Sequence, residues 1–113
     1  AAGAAYAAAL VTYRDLNDQW PLMALLEDIA TLAARRGQPR DAFLLLGAAD
    51  ALRATIGSAR SGADEERLDA RLASARVALG EAAALDAREA GRRLSLDESI
   101  EVALAACGVV SAE

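Results

Sequence analysis

The sequence predicts an all-α protein of about six helices, on three observations. Alanine, leucine, arginine and glutamate dominate its 113 residues, and all four are strong helix formers. Aromatics make up only 4% of the chain and there are 2 prolines, so strands have little material to compete with. Apolar side chains recur at i, i+3, i+4 spacing in segments separated by glycine, proline and short polar turns, as in amphipathic helices. The length suits a single compact domain. Its core is modest, because much of the 55% apolar content is alanine, which buries little area.

The first helix is expected from about Ala4 to Leu16, with Tyr6, Ala9, Leu10, Tyr13 and Leu16 at helical spacing, until Asn17 and Asp18 break it. Pro21 suits the first turn of the second helix, where its missing N–H costs nothing. Leu22, Leu25, Leu26, Ile29, Leu32 and Ala33 form that helix's apolar stripe, which ends in Arg35, Arg36 and Gly37, a cationic last turn before a C-terminal glycine. Pro39 opens the third helix. Its run AFLLLGAADAL (Ala42 to Leu52) is apolar on nearly every side, which predicts neighbours on two faces.

Gly57 to Ala63, GSARSGA, reads as a loop. The fourth helix runs from about Asp64 to Leu79, with Leu68, Leu72, Ala75 and Leu79 on one face. Asp64, Glu65 and Glu66 stand at its start, where negative charge complements the dipole. Gly80 separates it from a short fifth helix, Glu81 to Ala90, which Gly91 is expected to stop.

The sixth helix starts in RRLSLDESIEVALAA (Arg92 to Ala106). Ser95 is followed three residues later by Glu98, the pattern of a capping box in which hydroxyl and carboxylate each take an orphan N–H. The two arginines before Ser95 also suit a basic-directed kinase. The cap accounts for Ser95 without one, and a phosphate at a helix start stays open as the alternative. Leu96, Ile100, Ala103 and Cys107 then share a face.

An internal repeat shows in the first and third helices, where Ala9, Tyr13 and Leu16 recur at the same spacing as Ala42, Leu46 and Ala49. The displacement falls within the period of helix-pair repeats, which stack because one pair cannot bury its face alone. The second and third helices together resemble a tetratricopeptide repeat. Leu26, Ile29, Ala30 and Ala33 stand at its large and small positions, Gly37 at the turn, and Ala42, Leu46 and Ala49 in the second helix. Its usual aromatics are absent, and Ala54 stands where a proline is expected. This likeness implies antiparallel helix pairs stacked as a tetratricopeptide-like superhelix. An ordinary antiparallel helix pair is the alternative.

A longer likeness covers nearly the whole chain. Leu45 to Arg53 (LLGAADALR), Ala78 to Glu81 (ALGE) and Gly91 to Glu98 (GRRLSLDE), preceded by Tyr13 to Ala42, resemble the carboxyl-terminal region of large actinobacterial LuxR-type regulators and related signal-transduction ATPases. Ala84 and Arg88 stand where that family often has phenylalanine and tryptophan. The resemblance implies the C-terminal sensing or coupling part of a multidomain ATP-dependent transcriptional regulator. It also implies an ATPase and a DNA-binding domain elsewhere in such a protein. No G-x-x-x-x-G-K-[ST] stretch occurs in this chain.

Charge and residue types argue against several chemistries. The formal charge is −5, so direct nucleic-acid binding is not expected of a chain without a basic face. The clusters Arg35, Arg36 and Arg40, and Arg92 with Arg93, read as solvated helix ends. With no histidine and 1 cysteine, no zinc ligand set is expected, and Cys107 reads as an inert buried thiol without a basic neighbour. No apolar run approaches the roughly 20 residues that span a bilayer, AAGAAYAAALV lacks the basic start of a signal peptide, and a cytoplasmic location is expected. Ser58, Ser61 and Ser95 have no histidine to activate them, and Asp64, Glu65, Glu66 and Asp69 read as a solvated face. No enzyme activity and no cofactor are expected.

The expected function is therefore binding. Residues 1–56 form the tetratricopeptide-like helices, 57–63 a loop and 64–113 the capping helices of one domain. Partners would be a protein or peptide, or other domains of the same parent chain, in a groove lined partly by the second and fourth helices. The alternative is structural capping or self-association as a homodimer, with exposed apolar surface on the first helix. Trp20 and Tyr13 flank the first turn as candidate partner contacts, unless they staple that turn.

Overall fold

The computed structural model describes residues 2–108. Among them six helices form: α1 (Ala2–Asp15), α2 (Gln19–Arg35), α3 (Pro39–Ile56), α4 (Gly62–Leu79), α5 (Glu81–Arg92) and α6 (Leu96–Ala106). The protein is all-α, as its composition and apolar spacing predict. Residues 109–113, the end of the expected capping segment, lie outside the described residues.

The helix boundaries follow from local chemistry. α1 stops at Asp15 because Asn17 turns left-handed (φ 52°), and the Asp18 N–H donates back to the Tyr13 carbonyl at 3.0 Å. Leu16 is therefore a turn residue, not a helical one. Pro39 is in the first turn of α3, and Gly57 ends that helix at φ 72°, a conformation that costs glycine little. α4 begins earlier than its acidic residues suggest, because the Ser61 hydroxyl accepts from the Asp64 N–H at 3.1 Å and caps the helix there. The loop shortens to residues 57–61 in consequence.

α3 is the centre of the molecule. Every residue from Ala42 to Ala49 is buried, and the helix packs against α2 on one side and α5 on the other. The tetratricopeptide-like positions Leu26, Ile29, Ala30, Ala33, Ala42, Leu46 and Ala49 are all at most 1% exposed, so they form the seam between α2 and α3. Short turns make these neighbours antiparallel. The matching positions in α1 behave differently: Ala9 and Tyr13 are half-buried and Leu16 is 66% exposed. Among the described residues α1 packs on α2 and α6, and neither covers these three positions fully.

Gly91 does not stop α5, contrary to expectation. It lies buried inside the helix, because α3 and α5 cross at backbone contact. A Cβ on Gly91 would overlap the Leu44 carbonyl oxygen, and one on Gly47 would overlap that of Arg88. This crossing explains why Ala84 and Ala87, both buried, occupy α5's inner face: helices this close leave no room for an aromatic ring there.

α6 folds back onto α1, α2 and α3, burying Ile100, Ala103, Ala106 and Cys107. Arg36 Nη1 donates to the Ala106 carbonyl at 3.1 Å, putting a cation on α6's carbonyl end. A Cβ on Gly3 of α1 would overlap the Cys107 carbonyl oxygen. The last helix thus closes over the first. The radius of gyration is 12.9 Å, against about 13 Å for a compact globule of this length.

Candidate functional site

Asp50 is the only charged residue in the apolar run from Ala42 to Leu52, on a helix with neighbours on both sides. A carboxylate there needs partners. Arg88 of α5 supplies two hydrogen bonds, Nε to Oδ2 at 2.6 Å and Nη2 to Oδ1 at 3.2 Å. Arg60, from the loop before α4, donates Nη1 to Oδ1 at 2.5 Å. Arg92 touches Oδ2 from farther out, at 3.4 Å. Three cations converge on one carboxylate.

A second carboxylate carries the network onto α2. Glu27 accepts from Arg53 at 2.6 and 3.1 Å and from Arg60 Nε at 2.8 Å. Arg60 Nη2 lies 2.7 Å from the same Glu27 oxygen without hydrogen-bond alignment. Arg53 also donates to the Ser58 carbonyl at 3.1 Å, which ties the loop down. Glu65 of α4 stands off at 3.6 Å from Arg60 and 3.5 Å from Arg88, too far for strong charge-assisted bonds.

Burial grades this network from floor to mouth. The side chains of Arg60 and Asp50 are 5% and 10% exposed, while Glu65 and Arg92 reach 41% and 49%. Above them lies a cavity of about 490 Å³ bordered by the Gly57–Arg60 loop, α3, α4 and α5. Burial pushes the Asp50 carboxyl up, but the hydrogen bonds and charges of Arg88 and Arg60 outweigh it and hold the group below its ordinary value. Burial likewise works against the charges of Arg60 and Arg88, but the hydrogen bonds and charges of the carboxylates together outweigh it, from Asp50 and Glu27 at Arg60 and from Asp50 and Glu65 at Arg88.

A second concave feature lies between α1, α2 and α4. Tyr6, Asp28, Thr31, Arg35 and Arg71 line a groove of about 290 Å³. Burial raises the Asp28 carboxyl above its ordinary value, against the pull of Arg71. Trp20 lies at the start of α2 and is 58% exposed, whereas Tyr13 is half-buried against the core.

The structure places the remaining sequence candidates plainly. The Glu98 N–H donates to Ser95 Oγ at 3.1 Å, and the Ser95 N–H donates to Glu98 Oε1 at 2.8 Å, a complete capping box at the start of α6. Cys107 is buried, and its thiol is pushed up by that burial despite the nearby Arg36. Arg36 is the basic neighbour that sequence proximity does not reveal. Nor are all the arginine clusters only solvated ends, since Arg36 caps α6 and Arg92 reaches Asp50.

Spacing in the sequence does not bring Glu27, Asp50, Arg53, Arg60 and Arg88 together as a site. The signal for one of them was present: a lone carboxylate in an apolar run. No family model matches the chain, and no curated protein or solved structure matches it either.

Proposed function

We propose that the chain is a non-catalytic helical-repeat interaction module, the C-terminal sensing or coupling part of a multidomain ATP-dependent transcriptional regulator. The observation that supports binding is α1. Its sequence AGAAYAAALVTYRD is, Thr12 apart, apolar all round until the final Arg14 and Asp15, yet only Gly3, Ala7 and Leu10 are buried. Ala4, Ala5 and Ala8 face outward and are exposed. A helix that is apolar on every side is ordinarily covered on every side, so this face suits a neighbouring helix.

The finer identification rests on the resemblance of Leu45–Arg53, Ala78–Glu81 and Gly91–Glu98 to the LuxR-type regulators. In that setting α1 receives the preceding helical repeat. The groove of Tyr6, Asp28, Thr31, Arg35 and Arg71 offers the adjoining surface to a peptide or another domain of the parent chain.

The test is to measure binding between this chain and the helical segment encoded directly upstream in its own reading frame, for the parent sequence and for Ala8→Arg. The reading predicts saturable binding that Ala8→Arg abolishes while the thermal transition is retained. Equal binding by both proteins contradicts it. The same alanine face also favours a second reading, self-association, in which sedimentation shows a dimer that Ala8→Arg converts to monomer.

A further inference from the structure

We propose that the cavity bordered by Asp50, Arg53, Arg60, Glu65, Arg88 and Arg92 binds the phosphate group of a small organic molecule. The site shares no lining residue with the α1 face or the α2–α4 groove, so it stands or falls independently of the interaction reading.

Charge comes first. The protein carries −5 overall, yet this cavity is bordered by four arginines and two carboxylates. Glu27, behind the wall, neutralises one more guanidinium. One positive charge is left over, in a partly desolvated setting where it acts more strongly than in water.

The unused hydrogen-bond donors lie at the mouth. Arg53 and Arg60 direct donors at Glu27, Asp50 and the Ser58 carbonyl, and Arg60 Nη2 stays buried against Glu27 without an aligned bond. Arg88 uses one edge of its guanidinium on Asp50. Arg92, half-exposed, makes only its long contact to Asp50 among the described residues. Arg88 and Arg92 are one helical turn apart on α5, so both guanidiniums meet at the same opening. Ser58 and Ala59 also border it and add the Ser58 hydroxyl and the Ala59 backbone N–H, which take no other partner among the described residues. Forked guanidiniums with a hydroxyl and an amide suit a tetrahedral oxyanion with several acceptor oxygens.

Glu65 is the movable part. At 3.5 and 3.6 Å from Arg88 and Arg60, it holds them loosely, and a phosphate can take over those guanidinium faces at shorter range. The cavity of about 490 Å³ falls within the range of small-molecule pockets, roughly 300–1,000 Å³, so it has room for the organic remainder. Asp50 and Arg60 stay below as a fixed floor, already paired, and need not rearrange on binding.

The test is a titration of the whole chain with inorganic phosphate at constant pH and ionic strength, reading the arginine Nε–H resonances by NMR. Acetate and chloride serve as the comparison anions. Saturable shifts at Arg88 and Arg92, with phosphate binding tighter than acetate, are expected. Arg92→Ala should weaken phosphate by about tenfold, the scale of one lost charge-assisted hydrogen bond, and Glu65→Gln should tighten it by removing the competing carboxylate. Shifts that do not saturate, equal affinity for acetate, or affinities unmoved by both substitutions would overturn the proposal. Because Arg92→Ala and Glu65→Gln move affinity in opposite directions, a general loss of folding cannot imitate the expected pattern.

Discussion

Gly47 of α3 and Gly91 of α5 lie at one backbone crossing, each against the other's helix. A Cβ at Gly47 would come within 2.8 Å of the Arg88 carbonyl carbon, and one at Gly91 within 2.8 Å of that of Leu44. Both obstacles are backbone and cannot swing aside. Gly47→Ala and Gly91→Ala should therefore each lower stability by at least about 1–3 kcal/mol, the usual cost of overpacking, despite alanine's better helix propensity. Gly62→Ala, with open space around it, is the control and should be neutral or mildly stabilising. Chemical denaturation of the three variants checks this.

Asp50 joins α3, α5 and the loop before α4, and its loss leaves Arg88 without its close carboxylate and the buried Arg60 with Glu27 alone at short range. Asp50→Ala should cost about 3–5 kcal/mol, as breaking one side of a buried ion pair does. Replacing Asp50, Arg60 and Arg88 together by apolar residues should cost less than Asp50→Ala alone. Urea midpoints of the two variants decide between those outcomes.

The same group sets a pH dependence. The folded carboxyl is held below its ordinary value, so its stabilising contribution is present above the unfolded value, about 4. It is lost as pH falls through the lower folded value, because the unfolded chain takes up the proton first. Acid unfolding should steepen below about pH 4 in the parent protein. Asp50→Asn should flatten that limb, leaving a lower but less pH-dependent stability.

The capping box at Ser95 separates a structural hydroxyl from a switch. Ser95→Ala should cost about 1 kcal/mol, and Ser95→Asp, which caps as well, should cost only tenths of that. A thermal scan of both variants reads the difference. Equal losses would remove the cap as the reason for Ser95.

Cys107 is buried with its thiol pushed up, so little thiolate forms at neutral pH. Iodoacetamide should modify it far more slowly in the folded protein than in urea. Similar rates in both states would show that α6 opens readily.

The helices were legible because they are local. Pro39, Gly57 and the Ser95–Glu98 pair each mark a boundary with a few neighbouring residues. The burial of Ala42 to Ala49 followed from an apolar run with no polar face. What stayed hidden depends on chain segments far apart in sequence. Gly91 reads locally as a stop, and only its position against Leu44 makes it a packing residue. Arg60, in a loop of small residues, has only Glu65, 3.6 Å away, nearby in sequence, and Glu27 and Asp50 reach it through the tertiary fold alone. The arginine network therefore could not be assembled from spacing, although Asp50 announced one end of it.

Hydrogen exchange along α1, from Ala4 to Thr12, compared between this chain alone and the longer polypeptide of its reading frame, tests whether α1 is an interface. If the outward alanine face is an interface, exchange there slows in the longer polypeptide while α3 is unchanged. Unchanged α1 exchange, or a reading frame that adds no helical segment to a chain that remains monomeric, would contradict the account.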